Sequence, residues 1–391
     1  MKTLITLLLL VPTIYLALSG LYQLILALAS QVAEKKTFEA NSHQNRFLVM
    51  VPAYKEDAVI IESTRKNMAM RYQYHKDLFD YMVVADGLQQ ATISTLKKLG
   101  AQVVEVDFKK STKVKSLCAG LARAKGHYDG VVILDADNVA RTNFLRKAND
   151  YLNAGYVMVQ GQRTAANAQT VMACLDGFSE AANNAMLCKG ANRLGLSSKL
   201  CGSAMVCSYP LFQRIANQLQ AIGGFDKEME LLLTQEQCFI KYAEDLVVED
   251  QKVASFENYQ RQRGRWLESQ YSFLKKSFQP ACEGLFNGNI DYFHKALQLA
   301  LPPRALAPLA LMLLAILGFW LSTPVLLIAL GGFMANLTSY LITIPSGPLF
   351  KHSWGIMKAL PALFWSTCKA LTWMKRSRTE FLHTQHQLAN T

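Results

Sequence analysis

Apolar and polar positions divide the chain into three stretches of different character. From Thr3 to Val32 there is no charged residue, and Leu, Ile, Val, Ala and Tyr dominate. About 20 apolar residues span a hydrocarbon core, so residues 1–32 are predicted to form an N-terminal transmembrane anchor. A signal peptide is the alternative, because Lys2 precedes the run and Ala27-Leu28-Ala29 resembles a cleavage site. The apolar part of a signal peptide covers only about 7–15 residues, which favours a retained anchor. A second stretch, 305–350, lacks Asp, Glu, Lys and Arg altogether. It is too long for one crossing and predicts a transmembrane hairpin that turns at Ser322-Thr323-Pro324. Lys35, Lys36 and Arg46 follow the first run, and Arg304 and Lys351 bracket the second. By the positive-inside rule these place the intervening domain in the cytoplasm and the N-terminus outside, with three crossings.

Residues 351–391 carry an amphipathic stretch from Trp354 to Trp373 that includes Ile356, Met357, Leu360, Leu363, Phe364, Trp365, Lys358 and Lys369. The pattern predicts a helix lying in the membrane interface, bent at Pro361 and followed by a basic tail; a fourth span is the alternative. Asn336-Leu337-Thr338 matches a glycosylation sequon but falls inside the apolar stretch, so it is read as chance.

Between the apolar parts, residues 40–290 alternate short apolar runs with helical patterns, and 291–304 form a connecting interface segment. Phe47 to Val51, Tyr81 to Ala85, Gln102 to Val106, Val131 to Leu134 and Tyr156 to Val159 read as strands. Lys113 to Lys125, with apolar Val114, Leu117, Cys118 and Leu121, reads as a helix. Fully apolar strands alternating with helices predict an α/β domain with a buried, mostly parallel sheet. In such sheets ligands bind outside the carboxyl ends of the strands, which selects the residues to inspect.

Composition sharpens this picture. The chain has 391 residues, of which 51% are hydrophobic and 18% charged, so a mainly disordered chain is excluded. Lys and Arg number 41 against 29 Asp and Glu, a net charge of +12. Anionic membrane, phosphorylated substrate and nucleic acid all answer to that excess. The absence of a repeated aromatic-basic platform argues against nucleic acid. The eight cysteines form no Cys-x-x-Cys pair and read as reduced, buried thiols.

Three strands end in acids. The first runs into Pro52-Ala53-Tyr54-Lys55-Glu56-Asp57, the second into Asp86-Gly87, and the fourth into Asp135-Ala136-Asp137-Asn138. Carboxylates gathered in one crevice are costly unless they meet a cation or hydrogen-bond donors. An Asp-x-Asp turn after a strand supplies two oxygen ligands to a divalent ion that also holds a diphosphate. Alone the pair is weak, because solvated turns carry the same residues; its place after Val131-Val132-Ile133-Leu134 strengthens it.

At this point the chain resembles a membrane-bound family-2 glycosyltransferase. The resemblance rests on Val51-Pro52-Ala53-Tyr54-Lys55-Glu56, Asp86, Lys113 leading into Ser116–Leu121, and Asp135-Ala136-Asp137, in that order. Gln262-Arg263-Gly264-Arg265-Trp266 is similar to the Gln-x-x-Arg-Trp motif of the branch that contains the cellulose, chitin and hyaluronan synthases. The ending Thr379-Glu380-Phe381-Leu382-His383-Thr384 is a weaker match. The resemblance implies a GT-A nucleotide-sugar-binding fold with Mg²⁺ or Mn²⁺ as cofactor. It implies that Pro52, Ala53, Tyr54 and Glu56 line the nucleotide pocket, that Asp86 contacts the uracil and that Lys113 lies near the nucleotide. By the same resemblance Asp135 contacts ribose or metal, Asp137 is the metal ligand proper, and Gln262, Arg263, Arg265 and Trp266 close over the diphosphate and acceptor. The chemistry agrees: guanidinium suits phosphate, and an indole face suits a sugar ring.

The catalytic base departs from the pattern. Where the family has Glu-Asp before a Leu-rich helix, this chain reads Gly223-Gly224-Phe225-Asp226-Lys227-Glu228-Met229-Glu230-Leu231. Alignment on the helix selects Glu228, with Asp226 two residues earlier as the other candidate. Gly87-Leu88-Gln89 replaces a second Asp often found after the Asp86 position, and Gly202-Ser203-Ala204-Met205 resembles a small-residue segment near the donor sugar.

The expectation is therefore an inverting glycosyltransferase that moves a sugar from a nucleoside diphosphate, UDP by this resemblance, to a saccharide or lipid-linked acceptor at a membrane. Membrane lipids are its surroundings, and a homo-oligomer or other polysaccharide-synthesis proteins are the further partners it leaves open. The alternatives are a non-catalytic membrane sensor of nucleotide-sugars and a nucleotidyltransferase.

Overall fold

The computed structural model describes residues 2–34, 38, 43–167, 169–253, 255–344 and 353–377. Lys35, Lys36, Lys351 and the 379–384 match lie outside the described residues, as do the side chains of Trp354, Ile356, Met357 and Leu360.

In chain order, α1 (Lys2–Ala29) precedes β1 (Phe47–Tyr54), α2 (Asp57–Asn67), β2 (Phe79–Asp86), α3 (Gln90–Lys98), β3 (Gln102–Val106), α4 (Lys113–Arg123) and β4 (Gly130–Ile133). Then come β5 (Val139–Ala140), α5 (Phe144–Asn153), β6 (Met158–Ala165), α6 (Val171–Ala182), a π-helix (Asn183–Gly190), α7 (Ala191–Arg193), β7 (Met205–Ser208) and α8 (Tyr209–Ala216). The last part holds α9 (Phe225–Gln235), β8 (Lys241–Asp250), α10 (Phe256–Phe286), α11 (Ile290–Ala300), α12 (Ala307–Leu321), α13 (Thr323–Thr343) and α14 (Ser353–Ser377).

All five predicted strands are present, in one eight-stranded sheet ordered β3-β2-β1-β4-β7-β6-β8-β5. Most of its pairings are parallel, as expected, and the sheet is mixed through three short antiparallel ones. β1 pairs in parallel with β2 and β4, but β7 enters antiparallel between β4 and β6, and β5 pairs antiparallel with β8. β5 and β7 had no clear sequence signal, β5 having only two residues; β8 carries acids along its length (KYAEDLVVED), and Asp245, Glu249 and Asp250 read from the sequence as part of a surface strand.

Alternation along β1 explains the layering. Phe47, Val49, Val51 and Ala53 face one core with Val59 and Ile60 of α2 and Phe144 and Leu145 of α5. Leu48 and Met50 face the other, with Val114 and Leu117 of α4 and Phe212 and Met229 of α8 and α9. A sheet buried on both sides needs apolar residues at every position, as these strands show. The carboxyl ends of β1, β2 and β4 consequently open onto one edge of the domain.

α1 and α13 are long and apolar enough to cross a membrane, with mean hydropathies of 2.2 and 1.9. α12 has 15 residues, about 22 Å of helix, and is shorter than a full span. The chain breaks at Ser322, as predicted, and α12 folds back on α13 so closely that a Cβ on Gly318 would lie 2.5 Å from the Leu326 nitrogen. Small residues also seat α1: a Cβ on Gly332 would lie 2.7 Å from Ala17 Cα, and one on Gly20 would collide with Asn336. Such backbone approach is how apolar helices associate where no water is present to drive them together. Asn336 is fully buried in this contact, so the sequon is indeed fortuitous. α14 is a single helix containing Pro361, and it packs along α10. The eight cysteines are all unpaired thiols.

Candidate active site

The turn after β4 is built by Asn138. Its side chain accepts from the Asp135 amide at 3.1 Å and donates to Asp137 Oδ1 at 3.1 Å, while its own amide donates to the Asp135 carbonyl at 3.0 Å. This Asx geometry fixes the Asp-x-Asp backbone. Asn67, buried on α2, clamps the far side by donating to the Asn138 carbonyl and accepting from the Ala140 amide. The second oxygen of Asp137 accepts from the Gln251 amide at 3.0 Å, so the loop after β8 helps to orient it. Asn138, Asn67 and Gln251 were not foreseen; the Asp-Asn step at 137–138 is their one sequence signal.

Lys113 opens α4, where Thr112 Oγ1 caps the helix by accepting from the Lys115 amide. Its ammonium is ion-paired to Asp135 and donates to the Gly202 carbonyl at 2.7 Å. That contact draws the 202–205 segment, bent by a left-handed Gly202 at φ +82°, against the Asp-x-Asp turn. Pro52, Tyr54, Glu56, Lys113, Asp135 and Asp137 all line one cavity of about 820 Å³. Ala53 instead packs into the sheet core. Asp86 sits at the end of β2, only 2% exposed, behind Ser111 of the cavity wall. Burial and the nearby Asp107 carboxylate raise its pKa, against the Ser111 hydroxyl and the Phe108 amide.

α10 brings Gln262, Arg263, Arg265 and Trp266 to the opposite wall of the same cavity. Arg263 is held there by its neighbours: it donates to Asp176 Oδ1 at 2.8 Å, and its guanidinium lies 4.4 Å from the Trp266 ring centroid and 5.0 Å from that of Tyr259. Burial disfavours its charge, but Tyr259, Asp176 and Glu180 outweigh that and raise its pKa. Arg265 responds to burial in the ordinary direction, its pKa lowered to about 10. Behind these residues lies an ionic cluster. Asp250 at the end of β8 pairs with Arg163 and with Lys252 (2.6 Å), and Glu180 pairs with Lys252 (3.4 Å) and Arg163 (3.8 Å). Burial alone would raise the Glu180 pKa, but the two cations bring it down to about 2. This cluster fixes the 250–252 loop that holds Asp137.

The two candidates for the base are separated by the fold. Asp226, in the first turn of α9, lines the cavity beside Gly202. Glu228 does not: its Oε2 accepts from the Gln220 and Ala221 amides at 2.9 and 2.8 Å, tying the preceding loop to the helix. Its carboxylate is engaged in holding backbone, so the preference for Glu228 drawn from helix alignment is not supported by the geometry.

Two carboxylates on a fixed turn are hard oxygen donors of the kind a divalent ion takes, and among the described residues no third Asp, Glu, His or Cys completes a protein cage. Mg²⁺ characteristically keeps such incomplete protein shells and fills the rest with phosphate and water.

Residues 43–269 match the family model described as glycosyltransferase like family 2, and the chain belongs to that family. No curated protein matches the sequence. Among solved structures the chain is similar to the mannosyltransferase PcManGT from Pyrobaculum calidifontis, determined in complex with GDP-Man and Mn²⁺. Identity is 17%, the match covers 96% of this chain and 98% of that one, and the TM-score is 0.55, a likeness of fold. It is also similar to glucosyl-3-phosphoglycerate synthase from Mycobacterium tuberculosis, determined with Mn²⁺, UDP-glucose and phosphoglyceric acid, at 21% identity. That match covers 58% of this chain and 80% of the other, with a TM-score of 0.40.

Proposed function

We propose that the protein transfers a sugar from a nucleoside diphosphate, a UDP-sugar in our reading, to an acceptor hydroxyl at the cytoplasmic face of a membrane, with inversion at the anomeric carbon. One observation carries this: the Asp135–Asp137 turn, Lys113, Asp226 and the Gln262–Trp266 segment converge on a single cavity.

The donor's nucleoside lies toward Pro52, Tyr54 and Ser111, with Asp86 behind them. Asp135 and Asp137 would hold Mg²⁺ or Mn²⁺, which when bound would supply positive charge to offset that of the departing diphosphate. Asn138 and the Gln251 amide keep Asp137 turned toward that position. Lys113 holds Asp135 and adds a positive charge on the same side. Arg265 and Gln262 face the diphosphate from α10, and Trp266 offers its indole to a sugar ring. Asp226 takes the proton from the acceptor hydroxyl, and the oxygen attacks the anomeric carbon from the face opposite the diphosphate. α1 and the α12–α13 hairpin anchor the domain, with the N-terminus outside and α14 at the interface.

The test is transfer by membranes containing the protein, with labelled UDP-sugars and Mn²⁺. Asp137→Ala is expected to lower transfer at least hundredfold, and chelation of the metal to abolish it. Undiminished transfer in Asp137→Ala would remove the metal role.

A further inference from the structure

The cavity does not end at the donor site. Beyond Trp266 it continues past Leu301, Pro302, Pro303 and Arg304 to Pro308, Leu309 and Met312 of α12, Phe333 of α13 and Leu363 of α14. Apart from Arg304, Gln298, Tyr340 and Thr367 these walls are apolar, and Met312 of α12 is 43% exposed. The cavity is therefore polar where it meets the Asp-x-Asp turn and apolar where it passes between the membrane-side helices.

Two polar groups stand at the junction. Arg304 donates to the Ser179 carbonyl at 3.1 Å and to Asn183 Oδ1 at 2.6 Å, both neutral acceptors. Among the described residues no carboxylate lies within ion-pair distance of it, whereas the neighbouring Arg163, Lys252 and Arg263 each have one. Asn183 reaches Arg304 from the first residue of the π-helix, a widened turn of the kind found most often at functional sites. Gln23 of α1, 1% exposed, also lines the cavity. Its Nε2 donates to the Ser19 carbonyl, but its Oε1 is buried with no hydrogen-bond partner. A buried unpartnered acceptor is costly unless a ligand supplies the donor.

We infer that the acceptor is a phosphate-bearing lipid with a hydroxyl on its head group: the phosphate sits against Arg304, the hydrocarbon lies along Leu309, Met312 and Phe333, and Gln23 accepts from a protonated oxygen of the head group. The inference rests on the transferase reading above and deepens it. A guanidinium favours phosphate over neutral head groups, because its fork of donors matches phosphate oxygens. The apolar walls distinguish a lipid from a free phosphate or a soluble sugar phosphate. The head-group hydroxyl then extends toward Asp226 and the donor within the same cavity.

Native mass spectrometry of the full chain, released from nanodiscs of equal parts phosphatidylglycerol and diacylglycerol in phosphatidylcholine, tests this. Phosphatidylglycerol carries both the phosphate and the hydroxyl, and diacylglycerol only the hydroxyl. Wild type is expected to retain phosphatidylglycerol at least tenfold over diacylglycerol. Arg304→Gln should reduce that retention at least tenfold, and Arg304→Lys should restore part of it. Met312→Trp, which fills the groove at a position 43% exposed, should also lower retention. Equal retention of the two lipids by wild type, or phosphatidylglycerol kept at the wild-type level in Arg304→Gln or Met312→Trp, would overturn the inference. Donor binding in the same spectra separates the two readings. A chain that retains lipid but no UDP-sugar in the presence of Mn²⁺ would fail the transferase reading. One that binds UDP-sugar without preferring the phosphate would fail this inference alone.

Discussion

Asp226 and Glu228 lie two residues apart in the first turn of one helix, yet the fold gives them different work. The N-terminal end of a helix favours both carboxylates electrostatically, so helix position alone cannot separate them. What separates them is the loop at Gln220-Ala221, whose amides hold Glu228 away from the cavity that Asp226 lines. Asp226→Asn is expected to lower kcat by 10² to 10⁴, the usual range for a lost general base. Glu228→Gln keeps an oxygen that can accept from the same amides and loses only the charge. It should keep kcat within about tenfold and cost about 1 kcal/mol of stability, read as a melting temperature about 2–4 °C lower. Rates and thermal melting of both variants decide the matter, and the reverse ranking would restore Glu228 as base. The Asp135–Asp137 turn was more legible in position, because the apolar run Val131-Val132-Ile133-Leu134 before it marks the end of a buried strand. The residues that orient that turn were not legible. Asn67 and Gln251 come from α2 and from the loop after β8, and only the folded chain brings them to it.

At the scale of elements, strands buried on both faces announced themselves through unbroken apolar runs, and the two-residue β5 did not. The path of α14 was equally hidden. An amphipathic helix beside a membrane pattern reads as lying in the interface, because the sequence does not show what its apolar face meets. One face of it, with Ser366, Ala370 and Trp373, meets α10 across the Gln262–Trp266 segment, while Trp365 and Leu371 stay exposed. Gln260 donates to Ser366, Arg261 lies over the Trp373 ring, and a Cβ on Gly264 would sit 2.6 Å from Trp373 Cβ and 3.0 Å from the Ala370 carbonyl. Gly264 thus occupies the middle of a long helix, where glycine is worse than alanine by about 1 kcal/mol, to let α14 cross. In an unpacked helix Gly264→Ala would be stabilising. In this protein the overpacking cost of about 1–3 kcal/mol should exceed that gain, and the melting temperature should fall. A rise would mean that α14 does not dock on α10. Because Leu363 and Thr367 of α14 line the cavity, the same variant should raise KM for the acceptor more than for the donor.

For the molecule as a whole, the open question is whether α1 only anchors the chain. A simple tether would make few contacts with the rest of the chain, and the start of α1 fits that: Leu4, Leu7, Leu8 and Val11 are all more than half exposed. Its second half behaves otherwise. Gly20 and Ala17 press against α13, a Cβ on Gly190 of the π-helix would lie 2.1 Å from the Leu26 carbonyl, and Gln23 forms part of the cavity wall. These contacts join α1 to the same π-helix that presents Asn183 to Arg304, so removing them loosens the junction between the polar and apolar parts of the cavity. Replacing α1 by an unrelated apolar helix of equal length is therefore expected to leave the protein in the membrane fraction but to lower transfer at least tenfold. Restoring only Ala17, Gly20, Gln23 and Leu26 in that foreign helix should recover most of the lost activity. Fractionation and transfer assays on the same membranes read both outcomes. Full activity in the unrestored exchange would reduce α1 to an anchor. Loss that the four residues do not repair would place the coupling elsewhere along α1, as at Tyr22, whose hydroxyl lies 2.8 Å from His294 Nε2.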